Sequence, residues 1–189
     1  MIKIAVVGDI GSGKSYIANL FGYPVFNADL EVAKIYKTNK SCFKKLKKEL
    51  PKYFSTFPVN KIEIINAIES SEKNLKKITK IIHPEIRKKL SIFLKKNKKR
   101  KAVVLDIPLL LENKLNNKDD IIIFIQSKKS NIIKKLKKRV NFNFNLYNQF
   151  KKIQLPLSYK KKKSNYIIKN NFNNNFVKIS IKKILKEII

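Results

Sequence analysis

Gly8-Asp9-Ile10-Gly11-Ser12-Gly13-Lys14-Ser15 fills every fixed position of the pattern G-x-x-x-x-G-K-[ST], and each residue type in it has a task in phosphate chemistry. Gly8, Gly11 and Gly13 allow successive backbone N–H groups to turn inward around anionic oxygens, and a helix starting near Lys14 adds its positive dipole end. Lys14 can then reach the β- and γ-phosphates, and the Ser15 hydroxyl is a ligand for Mg²⁺. The expectation is ATP or GTP with Mg²⁺, seated on Gly8 and on the run from Gly11 through Ser12, Gly13, Lys14 and Ser15 to Tyr16.

Two carboxylates stand where such a site needs them. Asp29 follows a short apolar run and precedes a helical pattern, so it is either a helix N-cap or a base at the strand edge that accepts a hydroxyl proton. Asp106 closes the run Ala102-Val103-Val104-Leu105. It resembles the acid that holds Mg²⁺ directly or through water, and alternatively is a turn residue before Pro108.

These residues must be positioned by elements that the hydrophobic pattern outlines. Residues 2–7 form a β-branched run that ends at the glycine turn, and 24–26 form a second short strand. Residues 102–107 and 121–125 are continuous apolar runs of strand length, the kind buried on both faces of a parallel sheet, and 166–168 supply a fifth. Between the second and third strands, residues 30–101 are rich in lysine with apolar residues at helical spacing, as in Ile86, Leu90, Phe93 and Leu94. His83-Pro84 reads as a helix start inside that span. The run Asn170 to Asn175 reads as a loop before a last helix carrying Val177, Ile181, Ile184, Leu185 and Ile188. Strands alternating with helices give a parallel sheet wrapped by helices, with ligands at the carboxyl ends of the strands.

The chain of 189 residues is long enough for one sizeable core with an inserted subdomain, and its 43% hydrophobic residues argue against wholesale disorder. No apolar run approaches the ~18 residues of a membrane span, and the first twenty residues lack the order of a secretion signal. A cytoplasmic protein without a membrane partner is expected. Cys42 is the only cysteine, which excludes an internal disulfide. The net charge of +31 would suit a polyanion. Lysine is nevertheless spread over every segment and no base-stacking or groove-reading motif accompanies it, so no nucleic-acid partner is expected; a general attraction to phosphorylated ligands is the reading kept.

Asn117-Lys118-Asp119-Asp120 fits a guanine-reading N-K-x-D string but precedes its strand instead of following it, and Asp106 is followed by Ile-Pro-Leu where a GTPase switch has D-x-x-G. A motor or transport ATPase needs far more chain. Small kinases remain. Within that class the chain resembles the dephospho-coenzyme A kinases, on GDIGSGKS, PVFNAD, HPEIRKKL, LDIPLLLEN and the ordered set Arg139, Gln154, Lys160 and YIIKNN.

That resemblance implies ATP-dependent phosphorylation of the ribose 3′-hydroxyl of dephospho-coenzyme A. It implies that Asp29 is the catalytic base, that His83 and Arg87 help form the acceptor surface, and that the edge Pro108-Leu109-Leu110-Leu111-Glu112 contacts the acceptor. Arg139, otherwise a favourable charge at a helix C-terminus, becomes a lid arginine over the transferring phosphoryl group. Lys160 becomes a basic lid residue toward ATP, where the run Lys161 to Lys163 beside it allows a solvated charge instead. The chain departs from the family's pattern at Asp9 for Gly, Tyr16 for Thr, Asn27 for the first Asp of "DAD", Ala33 for a basic residue, and Ser164-Asn165 for Ala-Asp. None of these removes a group that the chemistry requires.

The expected fold is a three-layer α/β P-loop kinase with a five-stranded parallel core at about 1–29, 102–127 and 165–189. A helical acceptor-binding insert spans about 30–101 and a lid about 128–164. Two other readings fit the loop: another small nucleoside or nucleotide kinase, and a basic nucleic-acid-binding protein with a vestigial P-loop.

Overall fold

The computed structural model describes residues 1–138 and 142–189. Five strands, β1 (Ile2–Gly8), β2 (Val25–Asn27), β3 (Ala102–Asp106), β4 (Ile121–Gln126) and β5 (Tyr166–Lys169), form one sheet in the order β2-β3-β1-β4-β5. Every neighbouring pair is parallel, with Ile4 beside both Val104 and Ile121, and Asn27 beside Asp106.

The strands are short apolar runs because both faces are covered. Ile4, Val6, Val104, Ile123, Ile125 and Ile168 pack in one cluster with Ile17 and Ala18 of α1 (Lys14–Leu20) and with Val177, Ile181 and Ile184 of α9 (Asn174–Ile188). Ala5, Val7, Val103, Leu105, Ile122 and Phe124, which alternate with them, are buried as well. The short helix α8 (Leu157–Lys162) packs over β1. The three-layer α/β fold expected from the sequence is the fold observed.

The chain divides into two compact units. The first holds the sheet and comprises Met1–Asn27, Lys96–Phe142 and Ile153–Ile189. It includes α6 (Lys129–Lys137). The second comprises Ala28–Lys95 and Asn143–Lys152 and is wholly helical: α2 (Ala28–Thr38), α3 (Lys40–Glu49), α4 (Lys61–Ser70), α5 (Glu72–Lys96) and α7 (Phe144–Lys152). Its helix starts are fixed locally. Asn39 caps α3 by accepting the Cys42 N–H, and Asn60 with Glu63 forms a capping box at α4. Helix α7 lies on α4, where Asn143 Nδ2 donates to Glu69 Oε1 at 2.8 Å and Gln149 Nε2 to the Glu69 carbonyl at 3.4 Å.

Two local expectations are corrected. Pro84 does not start a helix but lies inside the 25 residues of α5. A proline in a helix interior costs about 3 kcal/mol, while each fully buried Leu or Ile contributes about 1.5–3 kcal/mol. Leu75, Ile78, Ile82, Ile86 and Leu90 make one buried stripe across the proline, which itself faces solvent, so packing outweighs the missing hydrogen bond. The asparagine run is also only partly loop. Asn173 accepts the Asn175 N–H at 3.0 Å and starts α9 at Asn174.

Replacing Pro84 by Ala restores an amide to the exposed side of α5. Pro84→Ala is expected to stabilise the chain by about 1–2 kcal/mol, less than the full helix cost because the unfolded chain also gains freedom. A shift of the urea midpoint to higher concentration at unchanged slope is the measurement; an unchanged or lowered midpoint would show that the helix is adapted to the proline.

Candidate active site

At the end of β1 the chain turns through Asp9 to Gly13 into α1. Gly13 caps the helix in the left-handed region at φ 91°, and a Cβ there would come within 2.5 Å of Asn170 Nδ2. Gly11 has φ 80°, and a Cβ on it would meet Leu136 and Ile132 of α6 at 2.9 and 3.0 Å. Only glycine allows both the turn and the close approach of these neighbours. Asp9, the departure that adds negative charge here, is 7% exposed and turns its Oδ1 onto the Ile10 N–H at 2.7 Å. Lys14 is buried, and its Nζ donates to the Asp9 carbonyl at 2.7 Å and the Gly8 carbonyl at 3.4 Å. A buried positive group and the N-terminus of α1 therefore lie together at this turn, an arrangement that suits polyphosphate.

Asp106 closes β3 beside this loop and is 2% exposed. Its Oδ2 accepts the Asn27 amide at 2.6 Å, and its Oδ1 is buried without a hydrogen bond. Burial pushes the carboxyl above its ordinary range, against the Ser15 hydroxyl, the Lys14 charge and the Asn27 amide, which all favour the ionised form. An aspartate in place of Asn27 would set two carboxylates at that spacing, whereas the amide donates. A buried carboxylate oxygen left open near a hydroxyl is a donor set that fits a hard cation such as Mg²⁺. Among the described residues no group of three or more His, Cys, Asp or Glu could hold a metal by itself, so such an ion would depend on phosphate oxygens and water as well.

The other expected residues are distributed as follows. Asp29 is the second residue of α2 and lies in its first turn, so it is not the N-cap; its charge still suits the helix dipole. His83 is half-buried in α5 with Arg87 exposed one turn further on. Burial and the Arg87 charge hold the imidazole below its ordinary value, which keeps His83 neutral at pH 7. Tyr16 is exposed, Pro108 and Leu109 are half-buried, and Leu110 is in the core. Arg139 lies outside the described residues.

Lys160 and Glu112, expected on different ligands, meet each other. Their side chains are 1% and 10% exposed, with Nζ 2.7 Å from Oε1. Glu112 Oε1 also accepts the Leu155 N–H at 3.0 Å. Lys160 is thus no part of the solvated run that continues through Lys163. The pair ties the segment after β3 to the chain returning toward β5.

The sequence reading missed the residues behind the loop. Asn170 is 4% exposed and donates from Nδ2 to the Ser12 carbonyl at 2.8 Å, and Ser127 Oγ donates to the same carbonyl at 3.1 Å. Phe172 and Asn171, with Asn131, Lys134, Lys135 and Lys138, line a cavity of about 280 Å³ in the sheet-bearing unit. An asparagine immediately after a strand, at the carboxyl edge where ligands bind, was the available signal; the surrounding asparagines masked it.

The sequence model of the family described as dephospho-CoA kinase matches residues 2–175. The dephospho-CoA kinase of Wolbachia pipientis wMel is 31% identical over 187 residues, covering 96% of this chain and 95% of that protein. The dephospho-CoA kinase of Rickettsia typhi is 31% identical over 193 residues, covering 100% of this chain and 98% of that protein. Among solved structures, dephospho-CoA kinase from Campylobacter jejuni superposes with a TM-score of 0.63 at 24% identity, covering 98% of this chain and 96% of that one, a likeness of fold.

Two stability measurements test the electrostatics of these residues. Removing one partner of a buried ion pair costs about 3–5 kcal/mol, whereas replacing both costs far less. Lys160→Met should therefore lose stability on that scale in a urea titration, and Lys160→Met with Glu112→Gln should recover most of it; equal losses in the single and double variants would refute the pairing. Because the folded pKa of Asp106 is raised, the ionised form is penalised above that pKa and the penalty fades as pH falls through it. Asp106→Asn should raise the melting temperature at pH 7, with the gain vanishing in acid. A lower melting temperature at pH 7 would mean that the surrounding donors outweigh burial.

Proposed function

The chain belongs to the dephospho-CoA kinase family, and on that premise we propose which of its residues carry the transfer of a phosphoryl group from ATP to dephospho-coenzyme A. The enzyme is an ATP-dependent kinase, and its product is coenzyme A, formed in the last step of that cofactor's biosynthesis.

The observation that supports the assignment best is the buried, open Oδ1 of Asp106, with Ser15 and Lys14 near enough to favour its charge. Ser15 Oγ and Asp106 Oδ1 would hold Mg²⁺, which when bound neutralises charge on the β- and γ-phosphate oxygens. Asn27 keeps Oδ2 of Asp106 occupied, so that the carboxylate offers one defined oxygen. Lys14 supplies a second cation to the same phosphates, and backbone N–H groups of the loop and of the first turn of α1 are assigned to the phosphate oxygens. The adenine is assigned to the cavity beside Phe172, which offers an aromatic face, amide groups from Asn131 and Asn171, and lysines for the ribose and phosphate edge.

Asp29 is assigned as the general base. It lies two residues along the chain from Asn27, which is bonded to Asp106. In this role its carboxylate accepts the proton of the ribose 3′-hydroxyl as that oxygen attacks the γ-phosphorus and the bond to the β-phosphate oxygen breaks. Neutral His83 offers a hydrogen bond and Arg87 a charge to the acceptor, whose diphosphate is anionic. Pro108 and Leu109 give the acceptor an apolar edge, with Leu110 and Glu112 beneath it. Arg139 is assigned to charge on the transferring group, and Lys160 to Glu112.

A coupled assay of ADP release with dephospho-coenzyme A, adenosine, AMP and pantetheine phosphate offered in parallel tests the reading. Dephospho-coenzyme A should be used in preference to all the others, and equal turnover of a nucleoside would overturn the acceptor assignment. In the same assay Asp29→Asn should lower kcat by a factor of about 10² to 10⁴ at unchanged melting temperature, the usual worth of a positioned base. Asparagine keeps the size of the residue, so an unchanged rate would remove Asp29 from the mechanism.

A further inference from the structure

The Ser12 carbonyl is anchored by two side chains from outside the loop. Ser12 is fully buried. Its oxygen accepts Asn170 Nδ2 at 2.8 Å and Ser127 Oγ at 3.1 Å, which uses both lone pairs. The donors come from two different strands: Ser127 directly follows β4 and Asn170 directly follows β5. The Asn170 N–H in turn donates to the Gln126 carbonyl at 2.8 Å, continuing the pairing of β4 with β5 one residue past the strand. Both anchors therefore rest on the rigid sheet.

A peptide unit is planar and trans, so the carbonyl of Ser12 and the N–H of Gly13 point in opposite directions across one plane. Holding that carbonyl against Asn170 and Ser127 fixes the Gly13 N–H on the opposite side. The restraint matters because Gly13 is in the left-handed region and glycine moves readily between φ wells. A flipped peptide would present an oxygen where a phosphate needs a hydrogen. The space for this contact is also particular to Gly13, since any Cβ would stand 2.5 Å from Asn170 Nδ2.

Asn170 does a second thing. Its Oδ1 accepts the Phe172 N–H at 2.8 Å, and Phe172 has φ 65°, a conformation that a non-glycine residue adopts only when held there. Phe172 lines the cavity described above, and its ring edge is 3.8 Å from the Cβ position of Gly13. One side-chain amide thus holds the phosphate loop with its nitrogen and the wall of the cavity with its oxygen.

We propose that Asn170, assisted by Ser127, is a positioning residue for nucleotide: it sets the Ser12–Gly13 peptide so that the Gly13 N–H faces the phosphates, and couples that setting to Phe172. The inference rests on ATP binding at the P-loop. It adds a residue that touches no reacting atom.

Calorimetric titration of the full chain with Mg·ATP and with Mg·tripolyphosphate, which has phosphates but no base, tests the proposal. Asn170→Asp keeps the acceptor for the Phe172 N–H but sets an oxygen against the Ser12 carbonyl. It should weaken both ligands by the same factor, about tenfold or more, while Ser127→Ala, which leaves one donor, should weaken both about threefold. A thermal melt and titration below the melting range restrict the comparison to folded protein; because Asn170→Asp also sets a negative charge near the phosphates, the uncharged Ser127→Ala decides, and unchanged dissociation constants in it would overturn the proposal. Loss of ATP affinity without loss of tripolyphosphate affinity would also overturn it, by assigning Asn170 to the cavity wall alone. If Asn170→Asp does not fold, Ser127→Ala decides by the same criterion. Failure of the unaltered chain to bind either ligand would instead remove the P-loop reading on which this rests.

Discussion

A parallel sheet buried on both faces confines this enzyme's chemistry to one edge. Side chains on β1, β3 and β4 are taken up by the core from Ile4 to Ile125, so polar groups can stand only where the strands stop. Gly8, Asn27, Asp106, Ser127 and Asn170 are all at or just beyond strand carboxyl ends. The register puts Asn27 level with Asp106, and strand order places β1 between β3 and β4. The ordering of the site therefore follows from strand pairing before any side chain chooses a partner.

Burial then sets the electrostatics at that edge. With 44 basic and 13 acidic residues, an acid is a scarce group in this chain, and several acids have defined basic partners: Asp120 with Lys3, Glu112 with Lys160, Glu31 with Lys34 and Lys89. Asp106 differs because burial raises its pKa while one oxygen stays open. A carboxylate held at a cost in the folded state is a natural acceptor of positive charge. The amide at Asn27 helps to hold that charge with a neutral donor.

The all-helical unit follows a different logic. Its helices carry capping asparagines at Asn39 and Asn60 and one long buried stripe on α5, which tolerates Pro84 because the apolar spacing continues past it. Neither feature needs a ligand to explain it. His83 and Arg87 lie on the same helix, so their spacing comes from helical periodicity, and burial together with the Arg87 charge lowers the His83 pKa.

The amino-acid sequence by itself determined the elements with strong local signals. The P-loop, the five apolar runs and the helical character of residues 30–101 are encoded in composition and period over a few residues, and LDIPLLLEN and HPEIR narrowed the family. Partnerships across long separations were decided only by the tertiary structure. Asn170 lay inside a run of asparagines that looked compositional, and its value depends on a carbonyl 158 positions away. Lys160 looked like one lysine among four, and only packing of α8 over β1 shows that it alone is buried and paired with Glu112. Pro84 read as a helix start because proline is favourable there, and the stripe that overrides it becomes evident only when the helix is packed. Local propensity and motif spacing are properties of neighbouring residues, whereas burial and hydrogen-bond partners are set by contacts that form only once the sheet has closed.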